Sequence, residues 1–230
     1  MAQAAEIKVM SSLAIREAYL ELVPRFEKQS RHKVATEWVG MVDIKKRLLA
    51  GELVDLVSGS AAAVDELIQA RKLAPGRMDL ASSSVAVAVR AGAARPDIRS
   101  SEALKRSLLA AKSIGYSSGP SGVYLAELFK RMGIAEQVKA KISQTPPGTP
   151  VGPLIARGEV EIGFQQLSEL LPTKGIDIIG PLPPELQLVT MFSAGMHVDA
   201  KQAQAAKALV RFLTSSAAAP VMREKGLDPA

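Results

Sequence analysis

Short apolar runs of strand type alternate with amphipathic runs of helical period along nearly the whole chain, and this alternation most limits what the chain can fold into. The first cycle places a strand at residues 7–10 before a helical pattern at residues 13–23. The same order returns at residues 54–70 and at residues 113–132. Strands that alternate with helices pair mainly in parallel and are covered on both faces. The pattern therefore predicts an α/β fold.

Composition places the chain among ordinary globular proteins. Of its 230 residues, 47% are hydrophobic and 23% are charged, which excludes disordered and low-complexity classes. The longest strongly apolar stretch lies around residues 85–89, far below the 18 or so residues of a membrane span. A length of 230 residues suits one large unit or two interleaved lobes.

Charge and residue types narrow the possible partners. The net charge of +6 favours anionic ligands, but basic residues are scattered and aromatic residues make up only 4%, so no nucleic-acid partner is expected. The chain has no cysteine and only two histidines, His32 and His197, which are far apart. We therefore expect no disulfide, no metal site and no cofactor.

The amino terminus predicts the location. Ala2-Gln3-Ala4 has the small-x-small form of a signal-peptidase site and stands just before the first predicted strand. We expect a mature periplasmic chain, exported with a signal peptide that this sequence lacks and carrying an added start methionine. The alternative is an ordinary alanine-rich tail.

Small polar residues recur where predicted strands pass into helices. They fall in five junctions: Ser11-Ser12, Gly40-Met41, residues 58–60, residues 117–122 and residues 148–151. In an open α/β sheet, ligands bind outside the carboxyl ends of strands, where serine hydroxyls and free helix N–H groups can hold an anion. The same residues also serve as ordinary helix caps and turns, so any single junction has a structural alternative.

One junction also matches a hydrolase motif. Residues 115–119 read G-x-S-x-G, and Asp177 and His197 follow in the order of a catalytic triad. A nucleophile elbow needs its helix to begin at the serine, whereas residues 119–122 place a loop there. We therefore predict no serine hydrolase and assign no catalytic residue.

An ordered set of segments resembles a known family. The set is residues 11–12, 40–51, 54–57, 85–89, Gly119-Pro120-Ser121-Gly122-Val123-Tyr124 and Gly163-Phe164-Gln165-Gln166. In this order the segments resemble the molybdate-binding-protein-like branch of periplasmic substrate-binding proteins. The likeness covers nearly the whole chain and is strongest at residues 120–124 and 206–213.

The resemblance implies a two-lobed type II periplasmic-binding-protein fold, with mixed sheets flanked by helices and a ligand in the cleft between the lobes. We place lobe one at residues 6–84 plus 188–230 and lobe two at residues 85–187, with crossovers near residues 82–85 and 184–189. Residues 1–5 are expected to be a disordered amino terminus. We also expect a monomer.

The resemblance also implies the ligand site. Carried over to this chain, the family's ligand residues are Ser12, Gly40 or Met41, Ser121 and the loop at Gly148. The full set that we expect to bind the ligand consists of hydroxyls, amides and one carboxamide from both lobes: Ser11, Ser12, Gly40, Met41, Ser60, Ser118, Ser121, Gly122, Val123 and Gln166. Two parts of this set depart from molybdate binders, because Gly40-Met41 replaces a serine-rich junction and Gln166 stands at a tyrosine position. These departures favour an organic carboxylate, and residues 165–169 and 180–187 resemble a subgroup that includes aconitate isomerase.

The resulting expectation is a solute-binding protein of an ABC importer, which captures a small anion and docks a membrane permease. Three alternatives remain open: an aconitate-isomerase-like enzyme on the same fold, a molybdate or tungstate binder, and the sensing domain of a transcriptional regulator. The enzyme ranks second because the predicted junctions offer no obvious base next to the ligand. The regulator ranks lower because no helix-turn-helix precedes residue 6.

Overall fold

The computed structural model describes residues 4–230, and they form two compact units. Unit one consists of the chain up to Ser83 together with Met191–Ala230, and unit two is Ser84–Thr190. The described part of the chain contains no helix that is long and apolar enough to span a membrane.

The order of elements is the predicted alternation of strands and helices. The strands are β1 (Glu6–Ser11), β2 (Lys33–Trp38), β3 (Leu56–Ser60), β4 (Met78–Arg90), β5 (Ile114–Ser117), β6 (Ile142–Thr145), β7 (Ile162–Gln166), β8 (Ile176–Pro181), β9 (Val189–Met196) and β10 (Asp228–Pro229). The helices are α1 (Arg16–Ser30), α2 (Met41–Leu49), α3 (Ala61–Gln69), α4 (Ser101–Ala110), α5 (Pro120–Arg131), α6 (Ala135–Val138), α7 (Gly152–Ala156), α8 (Leu167–Leu170), α9 (Ala203–Leu213) and α10 (Ala219–Glu224). Short 3₁₀ turns lie at Leu13–Ile15, Lys139–Lys141 and Pro184–Leu186. Strands β4 and β9 each continue from one unit into the other.

The sheet of unit one is mixed. Strand β1 lies between β2 and β3 and pairs in parallel with both, while β9 pairs antiparallel with β3. Alternate residues of β1 serve the two faces: Ile7 and Val9 join the core cluster that includes residues of α1 and α9, and Met10 joins the cluster under α2 and α3. Helices therefore cover both faces, as the alternating pattern predicts.

The sheet of unit two follows the same plan. Strand β5 pairs in parallel with β6 and β7, and the second half of β4 pairs antiparallel with β7 and β8. Val85 and Val87 pack into one core cluster, whereas Ala86 and Ala88 pack into the other. The α/β class with mixed sheets flanked by helices is therefore confirmed.

Two local predictions differ from the structure. Strand β6 has no counterpart in the sequence prediction, because Ser143 and Gln144 break the apolar pattern and the strand is held by parallel pairing with β5. The expected disordered amino terminus does not extend to Ala5, whose N–H donates to Nδ1 of His32 at 3.2 Å and whose carbonyl accepts from Lys33 N–H. Residues 1–3, which the same prediction covers, lie outside the described residues.

The junction between β5 and α5 depends on a glycine. A Cβ built on Gly122 would lie 1.5 Å from the carbonyl oxygen of Ser117, a distance that no side chain can accept. The missing side chain allows the first turn of α5 to pack directly against the end of β5. In the same loop, a Cβ on Gly119 would meet nothing closer than 3.4 Å.

We expect Gly122→Ala to destabilise the protein by about 3 kcal/mol, because the backbone of β5 or α5 must move to admit the methyl group. Gly119→Ala is the matched control and should change stability by less than about 1 kcal/mol. Chemical denaturation of both variants measures the difference. Equal stability of the two variants would contradict the close approach.

Candidate functional site

The carboxyl ends of the parallel strands in unit one meet at one edge of its sheet. The register of β1 and β3 sets Ser11 opposite Ser58, and Ser12 N–H donates to the carbonyl of Ser58 at 2.9 Å. Val39 N–H donates to the carbonyl of Ser11 at 2.9 Å, which brings the end of β2 to the same place. Three of the predicted junctions therefore adjoin one another. We call Ser12, Gly40 and residues 58–60 the carboxyl edge of unit one.

The Gly40-Met41 junction begins helix α2. The carbonyl of Gly40 accepts from Asp43 N–H and Ile44 N–H, so the first N–H groups of α2 point out of the helix at this edge. The Met41 thioether packs on β3, since a Cβ on Gly59 would lie 2.2 Å from its sulfur. Met41 thus uses its side chain for packing and leaves only its backbone amide for a ligand.

The two other predicted serines of unit one have different environments. Ser11 is fully buried, and its Oγ donates to the carbonyl of Ser12 at 3.0 Å, so this hydroxyl is used within the chain. Ser60 is buried at the amino end of α3, and its side chain makes no capping hydrogen bond there.

Unit two has the same kind of edge. Strands β5, β6 and β7 end side by side at Ser117, Thr145 and Gln166. Ser117 Oγ accepts from Gly119 N–H at 3.2 Å and lies 3.5 Å from the Oγ of buried Ser121. We call Ser117, Ser118, Ser121 and Gln166 the carboxyl edge of unit two.

One of the predicted donors, the Val123 amide, makes a hydrogen bond within α5. Val123 N–H donates to the carbonyl of Gly119 at 3.0 Å, as the first backbone bond within α5. Its side chain is 62% exposed. The Val123 amide, one of the predicted donors, is therefore engaged in the first turn of the helix.

The two neighbouring glutamines at the end of β7 point to opposite faces of the sheet and have different partners. Gln165 Oε1 accepts from Val151 N–H at 2.8 Å, and its Nε2 donates to Glu169 at 2.9 Å. Gln166 donates from Nε2 to the hydroxyl of Thr190 at 2.8 Å. Gln165 is thus a structural tie, whereas the carbonyl of Gln166 remains available.

Unpaired polar atoms are concentrated at these two edges. Four side-chain atoms are buried without a hydrogen-bond partner among the described residues: Ser12 Oγ, Ser58 Oγ, Ser118 Oγ and Gln166 Oε1. Buried polar atoms in folded proteins are nearly always paired, so each exception needs an explanation. Three of the four were predicted as ligand donors from the sequence. Ser58 was missed because the prediction chose Ser60, the residue directly before α3, from the same junction.

Glu169 lies beside the carboxyl edge of unit two and has an unusual pKa. Its carboxyl group is enclosed although the residue keeps some exposed surface, and burial raises its pKa from the ordinary 4.5 to about 7. The hydrogen bond from Gln165 acts in the opposite direction but is the weaker effect. Glu169 therefore holds its proton until near neutral pH.

This raised pKa has a defined effect on stability. Between about pH 4.5 and 7 the folded state keeps a proton on Glu169 that the unfolded state has lost, so stability falls as pH rises through this window and levels off above it. We expect Glu169→Gln to reduce the fall in the free energy of unfolding across this pH window by up to about 3 kcal/mol. The variant should therefore be more stable than the natural chain at pH 8 but not at pH 4. Chemical denaturation across this pH range measures the effect.

The exposed Glu136 offers a control for that experiment. Glu136→Gln should leave the pH dependence of stability as it is in the natural chain. If the natural chain and Glu169→Gln lose the same stability as the pH rises from about 4.5 to 7, another group causes the loss.

Other candidate chemistry finds no support. Helix α5 begins at Pro120, so Ser117 does not stand at the start of a helix as a nucleophile elbow requires. Asp177 accepts from Gly92 N–H at 3.0 Å in unit two, while His197 is buried in unit one with its Nδ1 accepting from Asp199 N–H. Residues 4–230 contain no cluster of three or more groups suited to a metal ion.

Comparison with known proteins assigns the chain to a family. The family described as bacterial extracellular solute-binding protein matches residues 7–228. An aconitate isomerase from Pseudomonas sp. is 39% identical over 230 residues, covering 97% of this chain and 87% of that protein. The chain therefore belongs to the bacterial extracellular solute-binding protein family.

Solved structures support the same fold at lower identity. The periplasmic molybdate-binding protein of Azotobacter vinelandii superposes with a TM-score of 0.77 at 17% identity, covering 96% of this chain and 98% of the other. The sulfate-binding protein of Mycobacterium tuberculosis gives a TM-score of 0.78 at 17% identity, covering 98% and 87%. The predicted likeness to the molybdate-binding branch is confirmed at the level of the fold.

Proposed function

We propose that this protein captures a small organic carboxylate in the periplasm and delivers it to an ABC importer. The observation that carries the proposal is the set of four unpaired, buried polar atoms at the carboxyl edges of the two units: Ser12 Oγ, Ser58 Oγ, Ser118 Oγ and Gln166 Oε1. A ligand held at these edges would supply the missing partners.

The free-energy cost of unpaired buried atoms favours a bound ligand as the explanation for them. A buried polar atom without a partner costs about 1 to 3 kcal/mol, so four of them would be a large burden on a marginally stable protein. Serine hydroxyls and free helix N–H groups are neutral donors that can surround an anion without a counter-charge. The net charge of +6 would also favour approach of an anion.

Two observations favour an organic acid over a tetrahedral oxyanion. The 39% identical relative is named an aconitate isomerase, whereas the molybdate- and sulfate-binding proteins share only 17% identity with this chain. The second is chemical: Met41 packs its thioether on Gly59, so the Gly40-Met41 junction offers an oxyanion backbone amides but no side-chain hydroxyl. The family name supports an extracytoplasmic location and, with it, a permease as partner.

Transport requires that the ligand favour one state of the protein. A ligand shifts a conformational equilibrium only by its different affinities for the two states. The ligand-bound and ligand-free states must therefore differ in the contacts that they offer, and each unit has unpaired hydroxyls at its carboxyl edge: Ser12 and Ser58 in unit one, and Ser118 in unit two.

We expect Ser58→Ala to weaken binding of citrate or its closest tight-binding analogue by 10- to 100-fold, because a hydrogen bond to a charged group contributes about 1.5 to 3 kcal/mol. Stability without ligand should stay within about 0.5 kcal/mol or rise, since the lost hydroxyl has no partner to leave unpaired. Isothermal titration and denaturation measure the two effects.

Ser193→Ala is the matched control because the fully buried Ser193 donates to Asp79 at 2.7 Å. This variant should show the opposite result, with lower stability and nearly unchanged affinity. If Ser58→Ala keeps full affinity for every organic acid that the natural chain binds, Ser58 is not a ligand donor and the proposed site is wrong.

The second candidate function is isomerisation of a tricarboxylate, favoured by the 39% identity to the aconitate isomerase. Such a reaction moves a proton at a carbon next to a carboxylate and needs a base with a pKa near the working pH. Glu169, with its pKa of about 7, has the required acidity, but Gln165 donates to its carboxyl group at 2.9 Å. The sequence prediction of no catalytic residue would be overturned only if turnover were found.

Proton NMR of cis- and trans-aconitate in heavy water decides between the two functions. A binding protein leaves both spectra unchanged over hours, with no exchange of carbon-bound hydrogen. Interconversion of the isomers that Glu169→Gln abolishes would establish an isomerase and name its base.

A further inference from the structure

Gln165 connects a loop of unit two to the carboxyl group of Glu169. The side chain of Gln165 is buried, its Oε1 accepts from Val151 N–H at 2.8 Å, and its Nε2 donates to Glu169 Oε1 at 2.9 Å. A backbone N–H can only donate, so the bond from Val151 settles which end of the amide is the carbonyl. Glu169 Oε1 is therefore an acceptor, and a proton on this carboxyl group must be carried by the other oxygen.

The loop that this connection holds is residues 146–151, which includes the predicted junction at residues 148–151. Thr149 N–H donates to the carbonyl of Pro146 at 3.1 Å, and Thr145 Oγ1 donates to the carbonyl of Thr149 at 2.7 Å. Residues 146–149 are exposed, whereas Val151 is fully buried directly before α7. The bond to Gln165 thus fixes the point at which the exposed loop enters the core.

Helix α8, which carries Glu169, packs against the same point. A Cβ on Gly152 would clash with the Oγ1 of Thr173, which lies just after α8. Leu170 of α8 belongs to the same apolar cluster as Val151. A movement of α8 would therefore break the bond from Gln165 and also disturb the end of the loop.

An ionised Glu169 would have no opposite charge to pair with. Helix α7 and strand β7 contain no charged residue, and burial is the largest cause of the raised pKa of Glu169. The charged residues that adjoin these elements in the described part of the chain are exposed or have other partners: Arg90 and Lys174 are exposed, Asp177 accepts from Gly92 N–H, and Arg157 pairs with Glu159. Exposure to water would therefore relieve the cost of the ionised carboxyl group.

We infer that Gln165 and Glu169 form a pH-sensitive latch, which holds the loop of residues 146–151 in place while Glu169 is protonated and opens more often when Glu169 ionises. Both are positioning residues, because Glu169 acts on the loop through the amide of Gln165. The latched carboxyl group keeps its proton up to about pH 7, whereas an exposed one loses it near pH 4.5. The latch therefore weakens as the pH rises from about 4.5 to 7 and stays weak above that window.

Amide hydrogen exchange, followed by NMR, tests the latch without any ligand. After correction for the intrinsic exchange rate, the protection of Val151 N–H should fall by about 10- to 300-fold between pH 4.5 and 7.5. Glu169→Gln should keep this protection nearly constant, because its side-chain oxygen still accepts from Gln165 but cannot ionise. Glu136→Gln, at an exposed position, is the matched control and should show the full decline.

Two further measurements separate the latch from unfolding of the whole unit. The amides of β5, which lies between β6 and β7, should stay more protected than Val151 at every pH, because the latch opens while the sheet remains folded. Gln165→Met should lower the protection of Val151 at pH 4.5 and remove its dependence on pH, because the connection to Glu169 is lost.

Three results would overturn the inference. They are a protection of Val151 that does not change with pH, a decline that is equal in Glu169→Gln or survives in Gln165→Met, and exchange of Val151 that always matches that of β5. None of them would affect the proposed capture of a carboxylate, because the measurement contains no ligand.

Discussion

The parallel register of the central strands is the constraint on which the site depends. In unit one, β1 lies between β2 and β3, so that Ser11 is opposite both Trp38 and Ser58. In unit two, β5 lies between β6 and β7, which brings Ser117 beside Thr145 and close to Gln166. Parallel strands end at the same edge, and the following helices begin there. A shift of register by one residue would turn these polar side chains to the opposite face.

The same edges are where the structure departs from ordinary polar pairing. Elsewhere, buried polar groups have clear partners: Ser193 donates to Asp79, and Gln165 ties Val151 to Glu169. At the edges, hydroxyls and one carbonyl are buried without partners. Natural proteins commonly place such locally unfavourable features at functional sites, where a ligand compensates for them. The proposed function depends on this contrast. It does not depend on the fold alone, because proteins that bind different ligands share that fold.

Much of the fold was predictable because hydrophobic periodicity directly reflects which faces are buried. The length of β4 and the existence of β6 were not, because Ser82, Ser143 and Gln144 interrupt the apolar pattern and pairing with neighbouring strands supplies the stability. At the site, serine at a strand end could be recognised from the sequence. Which serine of a junction keeps a free hydroxyl could not, because Ser58 and Ser60 differ only in three-dimensional contacts. The raised pKa of Glu169 likewise arises from burial that no local motif shows.

A crystal structure with bound citrate would test the central claim most directly. The proposed function predicts ligand oxygens within hydrogen-bond distance of the unpaired atoms at a carboxyl edge, which are those of Ser12 and Ser58 in unit one and those of Ser118 and Gln166 in unit two. It would be contradicted by citrate bound elsewhere, for example in the surface cavity of about 450 Å³ whose lining includes Lys105 and Arg131, with the four atoms at the carboxyl edges still unpaired.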